Sequence, residues 1–244
     1  MFILNLLKAE GSIADKLVVA LAFVLVAMFS IVIREVSHGF VAKLNGDLTA
    51  KDRGRLTLNP SAHLDPIGVA MMLLVGFGWA KPVPINPNNF TNRKRGIITV
   101  SLAGVCANLI VAGISLLLYF LLYPVIIKTM YAVGTSAIVS VLMNFVYSLL
   151  LLSIQLNFLL AFFNILPIYP LDGFNVINSF LPYGNGYQKV MVRYGSFILI
   201  GLILIGNIGN AFGIRWLNIF SLFGDLIGQM IDKVTIQSIL TFLA

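Results

Sequence analysis

Long apolar runs, broken by short polar stretches, organise this chain. A helix is predicted from about Lys16 to Leu44, ended by the turn Asn45-Gly46-Asp47. At ~1.5 Å per residue it would be about 43 Å long, more than the ~30 Å of bilayer hydrocarbon. Two further spans are predicted over about Gly96–Pro124 and Ser136–Leu166, and another apolar run covers about Val190–Phe212. Pro66 to Gly78 is different. It supplies only about thirteen apolar residues against the ~20 a spanning helix needs, which predicts a re-entrant or half-membrane segment. Trp216–Ala244 reads either as a last span interrupted by Asp225 or as an amphipathic interfacial helix.

The polar stretches predict the connections. Residues 1–15 read as a short interfacial segment. Between 45 and 62, the alternation around Arg55-Leu56-Thr57-Leu58 predicts a short strand or β-hairpin-like loop outside the hydrocarbon. Trp79, Lys81, Pro82, Pro84, Pro87 and the cluster Arg93-Lys94-Arg95 predict an extended loop. A second loop at 174–189 carries Pro182, Gly184 and Gly186.

Composition narrows the class. With 59% hydrophobic residues, 10% charged residues and a mean hydropathy of +0.97, the chain lies outside the soluble globular range. The prediction is an all-α polytopic membrane protein of about five to six transmembrane helices. It would form a single membrane domain over 1–244, with a core over 16–178 and C-terminal helices over 190–244. A net charge of +7 invites a nucleic-acid reading, but the bases sit between apolar spans. They read as positive-inside loop charges and contacts for lipid headgroups, with no nucleic-acid partner. Cys106 is the sole cysteine, which excludes an internal disulfide and a cysteine metal cluster. The first apolar run is too long for a signal-peptide core and lacks a small-residue cleavage site. With 66–78 returning to the side it entered from, Lys43, Arg53, Arg55, Lys81, the Arg93 cluster and Arg193 share one side. That side is then cytoplasmic, in a membrane read as bacterial, and the same arrangement brings His38 and Asp172 toward one end of the bundle.

Candidate chemistry sits inside the first apolar run. Arg34-Glu35-Val36-Ser37-His38 places two charges and an imidazole at bilayer depth, which marks a functional site by default. The pattern is one residue from His-Glu-x-x-His, in which two histidines on one helical face bind zinc and the glutamate activates water. Asp172 is the best candidate for a further ligand. Pro167 and Pro170 force a non-helical stretch before it, and Gly173 allows close backbone approach.

Glu35-x-x-His38, Gly104-x-x-x-Asn108 and Asn164-x-x-Pro167-x-x-Pro170-Leu171-Asp172-Gly173 together resemble the site-2 protease family of intramembrane zinc metalloproteases. Gly54–Pro60 with His63 and Asp65–Gly68, and Gly78–Pro84, resemble its short bacterial members without PDZ or CBS modules. The resemblance covers about residues 16–178. It implies hydrolysis of transmembrane protein or peptide substrates at a cytoplasm-proximal site, as in regulated intramembrane proteolysis. It also implies Glu35 as general base, His38 and Asp172 as zinc ligands, and Asn108 and Asn164 as polar helpers for the substrate backbone or oxyanion.

Arg34 departs from that pattern at the first ligand position. A guanidinium has no lone pair for a metal and repels a dication. It is expected to pair with Glu35 or Asp172 instead, leaving zinc binding weak or absent and hydrolysis impaired. A non-catalytic pseudoprotease that binds transmembrane segments or a protease partner is the first alternative. A small transporter using Arg34, Glu35 and Asp172 as a relay is the second, weakened because no internal repeat stands out. Arg34 could also simply snorkel toward the interface. Gly104-x-x-x-Asn108 doubles as a helix-packing pattern. His63 is read as fixing the start of the re-entrant segment rather than as a substitute ligand. A homo-oligomer is left open.

Overall fold

A computed structural model describes residues 12–75, 80–132, 134, 136–214 and 218–243. The interfacial segment expected at 1–15 (apart from 12–15), Gly78-Trp79, Arg215 and Trp216 fall outside these. Among the described residues the chain is helical, without named strands: α1 (Ile13–Leu44), α2 (Thr49–Asp52), α3 (Pro66–Val75), α4 (Arg93–Met130), α5 (Ala137–Ile165), α6 (Asp172–Asn178), α7 (Gly186–Ala211) and α8 (Ile219–Leu243). Among the described residues four helices are long and apolar enough to cross a membrane: α1, α4, α5 and the Gly186–Gly206 part of α7. This is an all-α polytopic membrane protein.

Each long helix begins on a polar cap that satisfies backbone N–H groups left open by the first turn. For α1, the Ser12 hydroxyl accepts from Asp15 N while the Asp15 carboxylate accepts from Ser12 N, a reciprocal box. Asn92 caps α4 and Ser136 caps α5 by accepting from Arg95 N and Val139 N. The chain leaves α1 through Asn45 and Gly46, whose φ of 102° suits glycine alone.

In α3, the ten described residues give about 15 Å of helix. Its start is held by Asp65, whose Oδ1 accepts from Ile67 N and Gly68 N. The expected β-hairpin-like loop does not form among the described residues of 45–62. That stretch makes the short helix α2, bends, and a 3₁₀ turn at Pro60–Ala62, and the nearest β pairing is an isolated bridge between Leu64 and Ala80. Pro60 leaves no N–H for a ladder, and Asn59 caps the turn through Ser61 N instead. Pro124 does not end α4, which continues to Met130.

The core is α1 laid against the α4–α5 pair, with α6 closing one end of the bundle and α8 packing against α4 and α5 further along. Small residues bury the α1 face: Ala22, Ala27, Ser30, Gly39 and Ala42. Because lipid tails are as apolar as leucine, such helices associate through close packing and interhelical hydrogen bonds. Asn157 Nδ2 donates to Ser30 Oγ at 2.8 Å, joining α5 to α1, and Ser115 and Ser153 hydroxyls join α4 to α5 at 2.7 Å.

Candidate metalloprotease-type site

Three helices and one extended segment converge on Arg34. Arg34, Glu35 and His38 project from the last third of α1. Asn164 ends α5, and Asp172 opens α6 after the turn 166–171, which contains a cis Tyr169-Pro170 bond. Gly173 lets that turn close: a Cβ there would fall on the Ile165 and Leu166 carbonyls.

The Arg34 guanidinium fork takes three partners. Nη1 donates to Glu35 Oε1 at 2.6 Å, and Nη2 donates to Asp172 Oδ2 at 2.6 Å and to Asn164 Oδ1 at 3.0 Å. The second Glu35 oxygen, Oε2, accepts from Val83 N at 2.9 Å, so both of its oxygens are engaged. His38 Nδ1 lies 2.8 Å from the Val100 carbonyl. Donation there leaves Nε2 as the lone-pair nitrogen, the orientation that a metal-binding histidine requires. Nε2 has no hydrogen-bond partner and sits 3.5 Å from Asp172 Oδ2.

Gly104 of α4 makes the His38 position accessible. A Cβ at 104 would collide with the His38 ring and come within 3.0 Å of Arg34 Cγ. Asn108, one turn further along the same buried face, is fully buried with neither amide atom hydrogen-bonded among the described residues. The structure therefore gathers Arg34, Glu35, His38, Asn164 and Asp172 and sets Asn108 a turn away. His63 is buried, with Nε2 2.8 Å from the Thr57 carbonyl, and organises the 57–63 loop.

Two participants are backbone groups that side-chain motifs do not reveal: the Val100 carbonyl and the Val83 N–H. One signal existed for the second. In Pro82-Val83-Pro84 only Val83 has an N–H, so it is the sole donor that run can offer.

Zinc can be tested against these donors. Two ligands bound at ~2.1 Å in tetrahedral geometry lie about 3.4 Å apart, which the 3.5 Å between His38 Nε2 and Asp172 Oδ2 matches. The rest of the shell does not fit. The neighbouring side chain on the same helical face, Arg34, is a cation without a lone pair for a metal, its Nη2 occupies Asp172 Oδ2, and no group of three His, Cys, Asp or Glu side chains suited to a metal occurs among the described residues.

The site gathers a buried carboxylate and a histidine from one membrane helix, an aspartate from a second element, and a guanidinium between them. The chain is 36% identical over 187 residues to a Bacillus subtilis (strain 168) protein named "Putative zinc metalloprotease YwhC", covering 77% of this chain and 81% of that protein. It belongs to that zinc metalloprotease family. No family model and no solved structure matches the chain.

Proposed function

We propose that this chain is a membrane-embedded member of the site-2 protease type whose cleft holds transmembrane or membrane-adjacent polypeptide segments, with peptide-bond hydrolysis switched off by Arg34. The observation that carries the reading is the three-partner guanidinium. A general base must be free to take a proton from the attacking water, and Glu35 instead spends one oxygen on Arg34 and the other on Val83. The aspartate that would bind metal is charge-neutralised by the same cation. The family's reaction is intramembrane proteolysis. Here the scaffold, the remaining His38–Asp172 pair and Asn164 persist around a salt bridge. The basic loop residues support a cytoplasmic position for this end of the bundle.

The test is metal content and cleavage of a model transmembrane peptide, for the unaltered chain and for Arg34→His. Expected are substoichiometric zinc and no cleavage in the first, with zinc bound and cleavage gained in the second. Stoichiometric zinc together with turnover in the unaltered chain would overturn the proposal.

A further inference from the structure

A cavity of about 560 Å³ opens from the His38–Asp172 floor, within the ~300–1,000 Å³ range typical of ligand sites. One wall is the start of α4 with Phe90, Arg93 and Lys94. The facing wall is α6 and its following turn, with Asn175, Asn178 and Ser179. Gln188 of α7 also lines it. Its charge is one-sided. Arg93 and Lys94 are exposed at its edge, and the only acidic lining residue, Asp172, is already bound by Arg34 at 2.6 Å. Lys94 Nζ rests 4.5 Å from the Phe180 ring centroid, so the ammonium is met by a ring rather than by a carboxylate.

The basic residues stand where helix electrostatics disfavours them. Arg93, Lys94 and Arg95 are the first three residues of α4, where the macrodipole favours anions, and no acid accompanies them in that turn. None of the three appears in an ion pair among the described residues. A like-signed, uncompensated rim over a cavity with an apolar wall of Ile85, Phe90 and Ile97 and amides at Asn175, Asn178 and Gln188 suits a segment that is apolar along its length and anionic at its end.

We infer that this cavity selects polypeptides whose transmembrane segment is flanked by acidic residues at the end that meets it. The inference rests on the reading that the cleft holds transmembrane segments, and it names their class. Its discriminating force comes from the positive-inside bias. Ordinary membrane helices carry Lys or Arg at their cytoplasmic ends, and Arg93 and Lys94 repel those. Helices with Asp or Glu there are the uncommon ones that would seat.

The experiment uses the full chain in phosphatidylcholine nanodiscs and a fluorescent model transmembrane peptide with a leucine–alanine core. The flank at its cytoplasmic end is four Glu, four Gln or four Lys. The expected result is at least ten-fold tighter binding of the Glu peptide than the Gln peptide, with the Lys peptide weakest and the spread shrinking in 0.5 M salt. Arg93→Gln/Lys94→Gln abolishes the preference, and Arg93→Glu/Lys94→Glu reverses it toward Lys. That reversal separates recognition from a merely structural role. Equal binding of all three peptides overturns the flank inference alone, whereas no binding of any overturns the underlying reading as well. A preference that survives in the Gln double variant also overturns it. So does a preference that vanishes when phosphatidylglycerol is added at one third of the lipid, because the cavity would then be a lipid-headgroup site.

Discussion

Arg34 and Asp172 lie 138 positions apart in the chain, yet their side chains meet at 2.6 Å and join the first spanning helix to the short helix that closes the bundle. Both are largely buried, and the guanidinium also holds Glu35 and Asn164. Removing one partner of such a pair strands a charge, and buried pairs broken this way typically lose ~3–5 kcal/mol. Asp172→Asn is expected to lower the melting temperature in detergent. Arg34→Met added to Asp172→Asn should recover most of the loss. In a double-mutant cycle the coupling should exceed ~1 kcal/mol, and a value near zero would mean that the pair does not hold the bundle.

Metal should matter only after the cation is gone. A strong chelator is expected to leave the melting temperature of the unaltered chain unchanged and to lower that of Arg34→His, because ligand that binds the folded state alone stabilises by mass action. Equal sensitivity of both to chelator would contradict the assignment of Arg34 to the lost ligand position.

Gly104 and Gly173 are predicted to fail differently. At Gly173 a methyl group meets fixed backbone carbonyls, so Gly173→Ala should reduce folded yield sharply. At Gly104 the obstacle is the His38 ring and the Arg34 stem. Gly104→Ala in the Arg34→His background should therefore fold with a modest loss of about 1–3 kcal/mol yet lose zinc uptake. Thermal melting beside metal analysis distinguishes the two.

Asn108 is expected to show a cost of function. A buried amide without partners costs ~1–3 kcal/mol, so Asn108→Leu should be neutral or stabilising by about 1 kcal/mol. In the Arg34→His background it should reduce cleavage of the model peptide. Unchanged cleavage would reduce Asn108 to a packing residue.

Acid should act first on the loop that supports the site. Asp47 is fully buried, and its carboxylate accepts from Thr49, from Asn86 N at 2.7 Å and from Asn89 Nδ2 at 2.8 Å, tying the 86–89 segment to the end of α1. Burial raises its pKa, but the Thr49, Asn86 and Asn89 hydrogen bonds outweigh that and leave it below the ordinary value. A depressed folded pKa gives stability that is full above the unfolded value near ~3.9 and is lost as pH falls through the folded one. The melting-temperature gap between the unaltered chain and Asp47→Asn should stay constant from pH 5 to 8 and narrow below about pH 4. A gap that widens in acid would reverse the sign of the argument.

The sequence by itself determined the spans and the chemistry-bearing side chains. A membrane helix must be apolar along its own length and bond its own backbone, so runs near Lys16–Leu44, Gly96–Pro124, Ser136–Leu166 and Val190–Phe212 locate α1, α4, α5 and α7 within a few residues. Charges inside such runs are equally local signals, which is why Arg34, Glu35 and His38 stood out. Tertiary structure decided what local pattern cannot encode. Alternation at 55–58 looked like a strand, but a strand needs a neighbour, and none of length is offered there. Arg34 could have chosen Glu35, Asp172 or the interface. Only the packing of α6 on α4 and α5, with Gly173 seated against the end of α5, brings Asp172 and Asn164 within reach of one planar fork that bonds all three partners at once.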